Sequence, residues 1–151
     1  MIRKLLSICT IIFAAAALCS CSESQEKTCD KIAKAFEKGN DTEAADLCAR
    51  LYADLPHCSM KTLGDLTVSY FTLSVIHSTK ADDDSTYEAM SRMVKCYDAA
   101  MKQDPTAAKA MWKHMAEESM NHGQTFDVPM IADAFRTQLQ LHEILDNKAP
   151  E

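Results

Sequence analysis

The sequence predicts an all-α fold of about six antiparallel helices, arranged either as a helical-hairpin array or as a compact bundle. Three observations predict it. Only 3 glycines and 4 prolines occur, while Ala, Leu, Met, Lys and Glu are abundant, a balance that favours helix over sheet. Apolar residues recur at helical spacing, not in alternation. Capping and breaking residues punctuate the chain often enough to keep every connection short, which predicts antiparallel neighbours.

The first helix is expected from Cys29 to Lys38, with Ile32, Ala33 and Phe36 on one face and Gly39-Asn40 closing it, since Gly is the usual residue just past a helix end. Asp41 is the expected cap of the second, which carries Ala44, Leu47, Cys48, Leu51 and Tyr52 inward and stops at Pro56. The third, from Met60 to His77, is apolar nearly all round and is therefore expected to be central. Its β-branched residues allow a strand over residues 67–76, but no second strand exists to pair with it. Ser85 and Glu88 have capping-box spacing, so Ser85 is the expected cap of the fourth helix, with Tyr87, Met90, Met93, Val94, Tyr97 and Met101 inward. Asp104-Pro105 starts the fifth, which holds Ala108, Met111, Trp112 and Met115 and ends at Gly123. Phe126-Asp127 starts the sixth, with Phe126 stapled onto Ile131 and with Ile131, Phe135, Leu139, His142 and Leu145 on the buried stripe.

Ahead of these helices lies a different pattern. Arg3 and Lys4 precede an apolar run from Leu5 to Leu18, which is too short for a membrane span of about 20 residues. The run closes on Leu18-Cys19-Ser20-Cys21. This arrangement resembles the lipobox of bacterial lipoproteins: a signal segment, small residues, then the cysteine that is lipidated and becomes the first residue. The resemblance implies domain limits of 1–20 for the signal peptide, 21–28 for the lipidated Cys21 and a polar tether, 29–147 for one helical domain and 148–151 for a frayed tail. Fully extended, the tether reaches about 23 Å. Several acyl chains on Cys21 would make a lasting contact with the bilayer. Ser22 follows the cysteine where an Asp is absent; by resemblance to the sorting rule of enteric lipoproteins, this implies the outer membrane of a Gram-negative envelope over the inner one.

The whole chain carries a net charge of −6, and removing the first residues takes it to about −8. Such an acidic body argues against nucleic acid as a partner and against adhesion to anionic headgroups. No glycine-rich loop is present to cradle a phosphate. With Cys9 and Cys19 in the signal and Cys21 lipidated, Cys29, Cys48, Cys58 and Cys96 remain, an even number that suggests disulfides in an exported protein. Equal heights on alternating helices suggest Cys29–Cys58 with Cys48–Cys96. The rival is Cys29–Cys48 with Cys58–Cys96, and four reduced buried thiols are the third possibility. No C-x-x-C spacing supports a zinc or thioredoxin-like site.

Gly39, Ala44, Cys48, Leu51 and Pro56 fall at spacings that resemble the second half of a tetratricopeptide repeat, and Tyr97, Ala100 and Pro105 match the same tail. Leu63-Gly64 looks like that family's first-helix pair, displaced by about two positions, and the prolines stand further apart than the period of about 34 allows. The resemblance implies a protein-binding scaffold without catalysis. Met111, His114 and Met115 share one face of the fifth helix and form the one thioether–imidazole set that suits Cu(I), although methionines at this spacing usually fill cores. The remaining histidines, His57, His77, His122 and His142, show no zinc-ligand spacing. Acid pairs such as Asp82/Asp84 and Glu117/Glu118 stand on charged stretches, without the apolar surroundings that raise a carboxyl pKa. The expected function is that of a membrane-anchored, non-catalytic adaptor for an envelope protein, with no cofactor. The alternatives are a lipoprotein binding a small apolar ligand or metal at a Met-rich site, and an enzyme accessory subunit.

Overall fold

The computed structural model describes residues 25–121 and 126–146. The expected signal segment 1–20, the lipidation site Cys21, His122, Gly123 and the tail 148–151 lie outside the described residues. The fold is all-α: six helices and one short 3₁₀ turn, with no strand among the described residues.

Helix α1 spans residues 25–37. It begins before the expected Cys29, so residues 25–28 belong to the domain and the expected tether loses its second half. The reason is Gln25, which is buried. Its amide donates to the His57 carbonyl at 3.2 Å and accepts from the Ser59 N–H at 3.1 Å and the Thr62 hydroxyl at 3.2 Å. A polar residue that looks like linker is thus the bolt between the starts of α1 and α3. Gly39 closes α1 in the left-handed region, φ 67°, and the Asn40 N–H returns to the Ala35 carbonyl at 2.9 Å.

Helix α2 spans Asp41–Tyr52, with Asn40, not Asp41, as its cap: the Asn40 side chain accepts from the Glu43 N–H. Asp41 instead holds Lys80 at 2.9 Å. A 3₁₀ turn, Leu55–His57, contains Pro56. Helix α3, Met60–Thr79, is capped by Ser59. Three of the buried polar residues along it are satisfied by their own helix. Thr67 donates to the Leu63 carbonyl at 2.7 Å, Ser69 to Asp65 at 2.7 Å and Ser74 to Phe71 at 2.7 Å. This is how a helix rich in Ser and Thr occupies the centre of the molecule.

Helix α4 spans Asp83–Gln103. Asp82 is its cap, accepting from the Ser85 N–H, so the expected cap Ser85 lies inside the first turn. The reversal before it runs through Ala81 in the left-handed region, φ 55°, with the Asp82 N–H bonded to the His77 carbonyl at 3.1 Å. Helix α5, Pro105–Asn121, starts as expected: the Asp104 carboxylate accepts from the N–H groups of Thr106 and Ala107. Helix α6, Val128–Asp146, is capped by Asp127. Phe126 lies against Phe71, with ring centroids 5.1 Å apart.

The antiparallel pair α3/α4 is the centre of the core. Contacts of α1 with α3 run from Gln25–Thr62 to Phe36 beside Val68 and Thr72, so these two helices point the same way. Asp41–Lys80 and Tyr52–Tyr70 set α2 antiparallel to α3. Gly64 lets α5 cross close to the N-terminal part of α3: a Cβ on Gly64 would stand 2.7 Å from Met111 Sδ and 3.2 Å from Met115 Cε. Helix α6 then packs mainly on α4, not on its chain neighbour α5. It runs antiparallel to α4, from Arg136 beside Asp98 to His142 on Tyr87. The last two helices therefore depart from a simple succession of antiparallel hairpins.

Candidate functional site

Helix α6 is buried on one side only. Val128 and Ala132 are core residues, and Phe135 stacks on Phe71 at 6.2 Å. Arg136 fixes the helix to α4 through Asp98 and over the Tyr97 ring at 5.5 Å, and Asp133, one turn earlier on α6, holds the same guanidinium at 2.6 Å. On the other side large apolar residues face solvent: Met130 is 59% exposed, Leu141 55%, Ile144 49% and Leu145 67%. Exposed Ala134 and Thr137 continue the line between them, and the spacing of alternating fours and threes is that of a helix-docking seam. Leu145, expected in the buried stripe, points outward instead. Near its level α3 has ended at Thr79 and α4 has only begun at Asp83, so little of the core pair remains to cover it.

Beside this seam a concavity of about 360 Å³ opens between α3, α4 and α6. Phe71, Val75, Tyr87, Met90 and Phe135 supply its apolar lining, and Ser74, Ser78, Thr86 and Gln138 its polar rim. Val75 is 47% exposed. The arrangement can take up apolar side chains and orient them by hydrogen bonds at the rim. Asp83 adds a carboxylate to the same lining.

The cluster around Arg92 is structural in its geometry. The guanidinium lies 5.1 Å from the Tyr52 ring centroid and 5.8 Å from that of Tyr70. It donates to the Tyr70 hydroxyl at 3.3 Å and pairs with Glu88. Burial holds the Tyr70 phenol well above its ordinary value, against the opposing pull of Arg92. Three helices meet at this one cation, and its partners engage both ends of the guanidinium.

Cys29, Cys48, Cys58 and Cys96 are buried thiols. Cys29 lies on the α1/α3 seam beside Asp65 and Thr62. The Cys58 thiol instead points at the backbone that closes α2, donating to the Leu51 carbonyl at 3.5 Å and the Asp54 carbonyl at 3.6 Å. Burial pushes the Cys29 and Cys48 thiols up to about 12 and that of Cys58 to about 11.

Met111 and Met115 lie over Gly64, while the His114 side chain is 71% exposed and faces Glu118 at 3.6 Å. The thioethers and the imidazole of the Cu(I) set therefore point to different surroundings. No group of three or more His, Cys, Asp or Glu among the described residues is placed to hold a metal ion. His57 Nδ1 meets Asp54 at 2.6 Å, His77 faces Asp82 at 3.6 Å and the His142 ring lies tilted against Tyr87. Hydrogen bonds at the start of α4 hold the Asp82 carboxyl below its ordinary value. That is the behaviour of a cap, opposite to that of a general acid.

Sequence reasoning did not find the outward seam of α6 or the Arg92 clamp. The i, i+4 pair Leu141/Leu145 is the available signal for the first, but the sequence reading places Leu145 on the buried stripe and gives Leu141 no role. Comparison with protein-family models, with curated proteins and with solved structures found no match. No helix among the described residues is long and apolar enough to cross a membrane.

Proposed function

We propose that this chain is a lipoprotein of a Gram-negative cell envelope. In this reading it is anchored by acyl chains on Cys21, at the outer membrane more than the inner, and acts as a non-catalytic adaptor. It binds the apolar face of a helix from an envelope protein along the outward seam of α6 and the adjoining concavity. One observation carries the reading: Met130, Leu141, Ile144 and Leu145 lie exposed on a helix already fixed to the core by its other face. Exposed apolar residues grouped on one face mark interaction surfaces, unlike the same residues scattered singly.

The lipobox pattern supports the location, and the weak likeness to tetratricopeptide hairpins is compatible with a binding role. Helix α1 includes Gln25, which bolts it to the start of α3, so a lipid on Cys21 would hold that end of the molecule at the bilayer. The α6 seam extends toward the other end, where His142 meets Tyr87 near the start of α4. This orientation favours a protein over the anchor's own bilayer as occupant of the seam.

The test is affinity purification of the tagged protein from lightly crosslinked, detergent-solubilised envelopes. Cys21→Ser and the double variant Leu141→Ser/Leu145→Ser run alongside, with circular dichroism to check that the double variant is folded. The expected result is one reproducible protein, lost from the folded double variant and depleted with Cys21→Ser. Capture unchanged by the double variant would remove the seam from the proposal, and no partner at normal expression would remove the adaptor role.

A further inference from the structure

The four thiols divide three to one, and the division assigns a pairing that their spacing in the chain leaves open. Cys29 is alone on the α1/α3 seam, beside Asp65 and Thr62. The other three converge where α2, α4 and the segment leading into α3 meet. The Cys58 thiol touches the Leu51 carbonyl at 3.5 Å, and Leu51 lies about one helical turn beyond Cys48. Gln103 of α4 donates to the Cys58 carbonyl at 3.4 Å. Cys58 and Ala99 line the same concavity of about 380 Å³, and Ala99 lies about one turn beyond Cys96. Burial pushes the Cys96 thiol up, and Cys58 and, less strongly, Cys48 lie close enough to add to that shift. All three side chains are fully buried, and of them Cys58 lines that concavity.

We propose that Cys58 and Cys96 are a disulfide-forming pair, with Cys58 the thiol that meets an external disulfide, Cys96 the resolving thiol, and Cys29 outside the set. The external reactant is a disulfide of the glutathione class or of an envelope oxidoreductase. Cys58 gives up its proton and its sulfur attacks one sulfur of the reactant. The reactant's S–S bond breaks, a mixed disulfide forms and the first thiol leaves with a proton. Cys96, deprotonated in turn, attacks the Cys58 sulfur and displaces the second thiol. Two protein thiols are oxidised to one disulfide, and one external disulfide is reduced to two thiols. The product would join the segment before α3 to the C-terminal half of α4, closing the wall of that concavity. The pairing is independent of the adaptor reading, because it can be read on purified protein.

The chain allows a direct assay. Trypsin cutting after Lys27, Lys31, Lys38, Arg50, Lys61, Lys95 and Lys102 leaves each of the four cysteines on its own peptide. The full chain, purified reduced in detergent, is exposed to oxidised glutathione at mildly alkaline pH. It is then alkylated, digested without reduction and mapped by mass spectrometry. The expected product joins the Leu51–Lys61 peptide to the Cys96–Lys102 peptide, with Cys29 and Cys48 alkylated. Cys58→Ser should abolish the crosslink, and Cys29→Ser should leave its yield unchanged. A dominant crosslink through Cys29, a Cys48–Cys96 product in the wild type, or no crosslink at all would each overturn the pairing. The wild-type map alone decides between these outcomes if a variant fails to fold.

Discussion

Gly64 shows how one missing side chain positions a helix. Its hydrogen stands where any larger residue would meet Met111 and Met115, and so it sets how closely α5 crosses α3. Two effects compete on substitution. Alanine gains about 1 kcal/mol of helix propensity, and the group it meets first, Met111 Sδ at 2.7 Å, belongs to a flexible side chain. Gly64→Ala should therefore be close to neutral. Gly64→Leu has no such room and should cost about 1–3 kcal/mol through overpacking. Urea denaturation of both variants checks the contrast, and equal costs would show that α5 does not rest on this position. The glycine itself was visible in the sequence as half of the Leu63-Gly64 pair. Its use was not, because close approach depends on which helix crosses there. The same limit hid Gln25. A lone amide in a polar stretch looks like tether, and only the meeting of α1 with the His57–Thr62 segment makes it a buried bolt.

The ends of the elements follow from local chemistry, with competition deciding between adjacent candidates. Three acidic residues precede Ser85, and each can cap a helix as well as serine does. Asp82 wins because its carboxylate reaches the Ser85 N–H and its carbonyl accepts from the Thr86 hydroxyl at 2.7 Å. This starts α4 earlier than a cap at Ser85 would. The turn that makes this possible forces Ala81 into the left-handed region, where an L side chain costs roughly 1–2 kcal/mol. Glycine would avoid that cost but lose more conformational freedom on folding. Ala81→Gly should thus stabilise the protein by about 0.5–1 kcal/mol. A thermal melt tests it, and a lower midpoint would show that the left-handed turn is unstrained. At α6 the helical period was legible, and so were most of the positions on its inner side. The fate of Leu145 was not, because periodicity tells which residues share a face and not how far the supporting helices extend.

For the molecule as a whole, the all-α class, the central place of α3 and the starts of α3 and α5 were legible, because composition, all-round apolarity and caps such as Asp104 act locally. The route of the last two helices was not, since it depends on α6 choosing α4 over α5. Packing also ties the four thiols to global stability. In the folded protein Cys58 is pushed up to about 11 and Cys29 and Cys48 to about 12, from an ordinary 9.0. Below pH 9 both folded and unfolded chains keep these protons, and the stabilisation is complete. As pH rises from 9 toward 11–12 the unfolded chain releases them first, and stability falls by up to about 1.4 kcal/mol per pH unit for each fully titrating thiol. Urea midpoints of the reduced protein at pH 8 and 10.5 should therefore diverge steeply, and Cys48→Ala should flatten the dependence. An unchanged slope in that variant would mean the thiols do not carry it. A different consequence follows from Trp112. It is the one tryptophan of the chain, and it is buried with its ring stacked on Tyr97 at 5.7 Å. The tryptophan emission, excited where tyrosine does not absorb, is therefore a local gauge tuned to the seam where α5 lies on α4. Set against far-ultraviolet ellipticity, which sums every helix, its colour distinguishes a molecule that sheds its last helices early from one that melts as a unit.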